Sequence, residues 1–237
     1  LLTRAINRSE IFIMIKHISF DLWMTLIQSH PEFKLKRAQL IIDMFKLKDC
    51  NALEIDAFVR KVDKVFDRKN MISGQKLSAN KMYCKVLQKV LPQTEVVTEE
   101  RAVDLRKRSD ELFIKYSPVF LNNSIKDILY NLKENGYTLN LSSNTGFVEG
   151  DILRPVLDKM GILNCFDFLV FSDEINASKP SSHFFEVVHK QASVAKNEIL
   201  HIGDNPKADY MGAKSFGFDA LLITDDNYTL NDIRRKL

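Results

Sequence analysis

Residues 14–26 read Met-Ile-Lys-His-Ile-Ser-Phe-Asp-Leu-Trp-Met-Thr-Leu, and the fold follows from how this stretch ends. Met14 to Phe20 is a short apolar-rich segment of the kind that forms a buried strand, and it stops abruptly at Asp21. Four similar runs recur later, each after a helical pattern. They are YTLNLSS from Tyr137, FDFLVFS from Phe166 to Ser172, EILHIG from Glu198 and DALLIT from Asp219. Helix–strand alternation of this kind predicts an α/β fold, a Rossmann-like parallel sheet wrapped by helices. In such sheets ligands sit beyond the carboxyl ends of the strands.

Between Pro31 and Tyr116 the pattern changes. Ile55, Phe58, Val59, Val62, Val65 and Phe66 follow a three-and-four spacing, as do Met82, Tyr83, Val86, Leu87, Val90 and Leu91. Thr98 with Glu99 and Glu100 predicts a capped, acidic helix start. No strand is expected here, so an all-helical module is predicted at residues 29–118, inserted into a core made of residues 14–28 and 119–237. Beyond the insertion, Asn122 or Asn123 is expected to cap a helix that Gly136 stops, Ser181 or Ser182 to start another, and Gly217 to end a third. Met14 reads as a natural start, which leaves residues 1–13 as an N-terminal extension.

With 237 residues, 45% of them apolar and 27% charged, the chain fits one α/β domain carrying such a module. No apolar run approaches the roughly 18–20 residues of a membrane span, and the first residues lack the long apolar core of a signal peptide. Cys50, Cys84 and Cys165 have neither metal nor redox spacing, which favours free thiols and a reducing, cytoplasmic setting. Residues 30–118 hold 19 Lys and Arg against 13 Asp and Glu, within an overall charge of +3. That asymmetry suits a small anionic partner. The basic residues are interleaved with acids and accompany no nucleic-acid motif, so neither nucleic acid nor membrane is expected as a partner. Oligomeric state is left open.

The polar residues at the strand ends form an ordered set. FDLWMTL, LNLSSN, SKP and HIGDNPKAD resemble, in that order, the four motifs of the haloacid-dehalogenase-like hydrolase superfamily. The first and fourth are the most specific. The resemblance implies that Asp21 is an aspartate nucleophile, that Ser143 donates to the transferring group, and that Lys179 places a positive charge beside it. It implies Mg²⁺ held by Asp21, Asp204 and the backbone carbonyl of Trp23, with Asp209 either a ligand or an orienting group. Thr25, Asn144 and Trp23 are expected to face the substrate, although Thr25 could equally satisfy backbone groups after the strand. His201, inside an apolar strand, reads as a satisfied core histidine. The inserted helices match the family's mobile cap in position and class, and Lys34, Arg37 and Arg108 are cap residues available to an anion.

One position departs from the pattern. Phosphatases of this superfamily carry a second Asp two residues after the nucleophile, as general acid and then base, and here that position is Trp23. General acid–base help is worth about 10²–10⁴-fold. Its loss falls hardest on esters with high-pKa leaving groups and least on acyl phosphates, phosphoanhydrides and activated aryl phosphates. An aromatic residue at this position also resembles the true haloacid dehalogenases, whereas the acidic fourth motif favours metal. Three readings follow: a Mg²⁺-dependent hydrolase of a small phosphorylated metabolite, a 2-haloacid dehalogenase, and a sensor or interaction protein with weak or no turnover. Met24 also stands where a small residue is usual.

Overall fold

The apolar run before Asp21 forms β1 (His17–Phe20), with all four residues buried. This is seen in a computed structural model that describes residues 14–225 and 228–237, so the expected extension at 1–13 lies outside the described residues. A tight turn leads from β1 into β2 (Ile27–Gln28). Four helices follow: α1 (Phe33–Phe45), α2 (Ala52–Ser73), α3 (Ala79–Val90) and α4 (Glu99–Lys115). The chain returns through β3 (Val119–Phe120), antiparallel to β2 with Phe120 opposite Ile27.

The rest alternates as expected. It runs α5 (Ile125–Glu134), β4 (Thr138–Ser143), α6 (Gly150–Lys159), β5 (Phe168–Phe171), α7 (Ser172–Ile175), α8 (Ser182–Ala192) and β6 (Ile199–Gly203). A π-helical turn, Pro206–Met211, precedes α9 (Gly212–Phe216), β7 (Asp219–Leu222) and α10 (Leu230–Arg234). The sheet order is β5-β4-β1-β6-β7, and every pair in it is parallel. This is the Rossmann-like sheet that the alternation predicts. β1 lies at its centre, with Phe20 level with Leu141 of β4 and Ile202 of β6. The residues just past these three strands therefore share one edge.

The central strands bury both faces. Ile18, Phe20, Leu139, Leu141, Leu200 and Ile202 join one apolar core with α5 and α6. The alternate positions, His17, Ser19, Asn140, Ser142 and His201, are polar and fully buried. Burying them is tolerable only because each is hydrogen-bonded. His17 Nε2 meets Asn140 Oδ1 at 2.9 Å, Asn140 Nδ2 donates to Ser142 Oγ at 2.9 Å, and Ser142 and Ser19 hydroxyls meet at 2.9 Å. The Ser19 hydroxyl then reaches His201 Nδ1 at 3.0 Å.

Helices α1 to α4 form a second apolar cluster, including Ile41, Val59, Val62, Tyr83, Val86 and Leu105, into which Phe147 inserts from the loop after β4. Asn51 and Glu54 make a reciprocal capping box on α2, and Thr98 caps α4 as its sequence predicts. Two details differ from expectation. Phe58 and Val65 are exposed, because the stripe of α2 that meets the cluster is narrower than the apolar pattern suggests. Asn122 does not cap α5. Its side chain accepts from Ser124 N–H at 3.0 Å, two residues before the cap position, and the helix starts at Ile125 without a side-chain cap.

Candidate active site

Asp21 leaves the central strand with its N–H bonded to Ile202 O at 2.8 Å, which fixes it at the sheet edge. Asp21 is 7% exposed. Lys179, in the loop between α7 and α8, is buried beside it and donates to Asp21 Oδ1 at 2.7 Å, Asp209 Oδ1 at 2.6 Å and Ser142 O at 2.7 Å. An ammonium has three protons, so this one is saturated. Asn144 fixes the lysine from behind. Its amide accepts from Lys179 N at 2.8 Å and donates to Lys179 O at 2.9 Å. The other oxygen of Asp21 accepts from Thr25 Oγ1 at 3.3 Å. Ser143, the last residue of β4, is fully buried, with Oγ 3.4 Å from Asn144 O.

Asp209 projects from the π-helical turn that Asn205 caps. Besides Lys179 it accepts from Asn205 N at 2.9 Å and meets His201 Nε2 at 3.2 Å. Gly203 permits this, since a Cβ there would collide with the Asp209 carboxyl group. His201 is the satisfied core histidine expected from the sequence, and it adds something not foreseen. With its proton on Nε2 it donates to Asp209 while accepting the Ser19 hydroxyl on Nδ1. The buried ladder across the sheet therefore ends on a site carboxylate.

Carboxylate oxygens of Asp21, Asp204 and Asp209 lie within 4.8 Å of one another. Burial raises all three, but Lys179 and His201 outweigh it at Asp209 and hold that carboxyl below the usual range. At Asp21 burial wins over Lys179 and is reinforced by Asp209 and Asp204, so its carboxyl is pushed up to about 7. Burial and Asp209 also raise Asp204. Burial would lower Lys179, yet the two aspartates keep it above its ordinary value, and burial keeps His201 neutral. Three carboxylates thus face one ammonium, a donor set with hard oxygen atoms and charge to spare for a divalent cation.

Beside this cluster a cavity of about 520 Å³ opens between α1, α2 and the loop after β4. Trp23 lines it, half-buried and tilted against Phe113 of α4 with ring centroids 6.2 Å apart. Met24 also lines it, in a left-handed conformation (φ 57°) that a glycine would adopt more easily. Lys34 and Arg37 reach the cavity. Arg108 does not, and pairs with Asp104 at 3.2 Å on the surface of α4. Asp63 and Asp67 of α2 line the cavity and were not singled out from the sequence, where they look like any solvated helix charge. Tyr228 was also missed. Its buried hydroxyl donates to Thr25 O at 3.0 Å, bracing the turn that carries Thr25 under Asp21.

A family model for haloacid dehalogenase-like hydrolases matches residues 15–217. The chain belongs to this family. Among relatives of the hydrolase, (S)-2-haloacid dehalogenase 2 of Pseudomonas sp. (strain CBS-3) is 25% identical over 135 residues, 56% of this chain and 57% of that protein. Phosphoglycolate phosphatase of Colwellia psychrerythraea is 28% identical over 104 residues, 44% of each chain. The hydrolase thus spans about half the length of the curated relatives it matches. The solved HAD-hydrolase YfnB of Bacillus subtilis, bound to magnesium, shares its fold with a TM-score of 0.67 at 16% identity, covering 91% of this chain and 90% of that one. No helix among the described residues is long and apolar enough to cross a membrane.

Proposed function

We propose that this hydrolase moves a phosphoryl group from a small anionic metabolite to Asp21 and then to water, with Mg²⁺ as cofactor. The observation that carries the reading is the shared lysine: one buried ammonium between Asp21 and Asp209, with Asp204 alongside. Asp21 is the nucleophile, held by Lys179 on one oxygen and by Thr25 on the other. Lys179 keeps positive charge where the phosphoryl oxygens arrive, and the Ser143 hydroxyl donates to them. Asp21, Asp204 and the Trp23 carbonyl would hold the metal, with Asp209 as a further ligand or as the anchor of Lys179. Bound there, Mg²⁺ supplies the charge that keeps Asp21 ionised and offsets the phosphoryl oxygens.

The Trp23 indole N–H is far too weak an acid to protonate a leaving group. The substrates best served are therefore acyl phosphates, phosphoanhydrides and aryl phosphates, whose leaving groups depart unprotonated. Helices α1 to α4 act as the cap that shields the site from water.

Trp23 and the similarity to a haloacid dehalogenase favour a second reading, displacement of halide from carbon by the same Asp21. A panel of phosphorylated metabolites and 2-haloacids, assayed with Mg²⁺ or EDTA, separates the two. The phosphoryl reading expects phosphate release that EDTA and Asp21→Asn both abolish. Halide release persisting in EDTA supports the second reading, and activity indifferent to both changes sinks each of them.

A further inference from the structure

The cavity beside Trp23 is walled by charges of both signs. Lys34 and Arg37 come from α1, three residues apart and so on one helical face. Asp63 and Asp67 come from α2, four apart and likewise on one face. Arg37 and Lys34 act on Asp63 through space, yet among the described residues none of the four is ion-paired. Charges of both signs that line one cavity without pairing leave both signs available to a ligand.

Arg37 is the most constrained. It is 6% exposed, and its guanidinium lies over Phe33 and Phe147 at 5.1 and 4.9 Å from their ring centres. The Tyr83 hydroxyl engages it, while Nε has no partner. Two rings pack against the guanidinium and Nε is unpartnered, so the N–H edge remains for a ligand, and that edge matches a planar carboxylate. Asp63, on the same cavity, sits over the loop after β4, with Oδ1 only 3.0 Å from where a Cβ on Gly146 would be. A purely anionic ligand would meet Asp63 and Asp67, and a purely cationic one would meet Arg37 and Lys34. Each mismatch disfavours binding.

We propose that this cavity holds the non-reacting part of the substrate and that this part is zwitterionic, its carboxylate on Arg37 and Lys34 and its ammonium on Asp63 and Asp67. The assignment rests on the reading of Asp21 as the reacting group and adds the substrate class: a small molecule bearing an α-amino acid or equivalent pair of charges.

Binding of five probes tests this, on the unmodified chain in EDTA and on Asp21→Asn. O-phospho-L-serine carries both charges, phosphoglycolate only the carboxylate and phosphoethanolamine only the ammonium, while L-serine and glycolate repeat the comparison without phosphate. Phosphoserine is expected to bind at least tenfold tighter than either single-charge phosphate, and L-serine tighter than glycolate. Asp63→Asn with Asp67→Asn, both exposed positions, should bring phosphoserine to the level of phosphoglycolate. Arg37→Met should bring it to that of phosphoethanolamine. If only the phosphate-free zwitterion is preferred, the pocket assignment stands and the phosphoryl reading fails. If neither zwitterion is preferred, or if no probe binds, the proposal is overturned.

Discussion

Lys179 and Asp209 form a buried ion pair at 2.6 Å, and the same ammonium reaches Asp21 at 2.7 Å. Removing one partner of such a cluster leaves charge buried without compensation, which costs about 3–5 kcal/mol. Lys179→Met is therefore expected to abolish turnover and to lower thermal stability, and Mg²⁺ should restore part of the stability by taking over the counter-charge. Thermal unfolding with Mg²⁺ and with EDTA checks this. An unchanged melting temperature in EDTA would contradict the electrostatic account.

His201 supplies Asp209 with a second buried donor, and its ring packs edge-on against Phe185, with centroids 5.6 Å apart. His201→Phe keeps a planar aromatic ring, somewhat larger, but leaves the Ser19 hydroxyl and Asp209 each one partner short. The expected loss is about 1–3 kcal/mol in urea unfolding, with weaker Mg²⁺ binding because Asp209 is held less firmly. Loss of stability with unaltered Mg²⁺ affinity would confine His201 to the core.

Much of this was legible in the sequence, for identifiable reasons. Asp21, Ser143 and Asp204 each follow an apolar run, so their place at one sheet edge comes with the parallel fold. Lys179 has no such marker and stood out only through the order of the four motifs. The His201–Asp209 bond was not legible, because eight residues and a π-helical turn separate them. β2 and β3 have two residues each, too few for any periodicity to show. Asp63 and Asp67 resemble the other charges of α2, and only the packing of α1 against it reveals which face the cavity. Asn144 was read as a substrate contact; it lines the cavity, and its amide also bonds the main chain of Lys179 on both sides, a role its sequence position does not reveal.

Trp23 lines the cavity beside Asp21, two residues after it, where the resemblance to the family's phosphatases implies a proton-donating Asp. Trp23→Asp is expected to raise kcat/KM for alkyl phosphates by about 10²-fold or more, and to change acyl and aryl phosphates much less. The ratio of the two rates, measured for both proteins, is the readout. An equal effect on both classes would mean that Trp23 acts through the shape of the cavity instead.

Asp110 of α4 is 7% exposed, with Oδ1 unpartnered and Oδ2 3.4 Å from Arg106. Burial, only partly opposed by Arg106, pushes its carboxyl up to about 6. Between its ordinary value near 3.8 and about 6, the native state holds a proton that the unfolded state has released. Stability from this group therefore falls as pH rises through that window and stays low above it. Asp110→Asn lacks this slope, so it should gain on the wild type by about 2 kcal/mol between pH 4 and 7. Chemical unfolding at several pH values tests it, and parallel profiles for the two proteins would contradict the assignment.

The central claim concerns Asp21 itself. Acid quenching of the hydrolase during turnover of an acyl phosphate such as acetyl phosphate, followed by peptide mass analysis, reports directly on a covalent intermediate. A phosphoryl group on the peptide containing Asp21 is predicted, present with Mg²⁺ and absent in EDTA and in Asp21→Asn. Turnover that proceeds without any such adduct, and that survives Asp21→Asn, would contradict it.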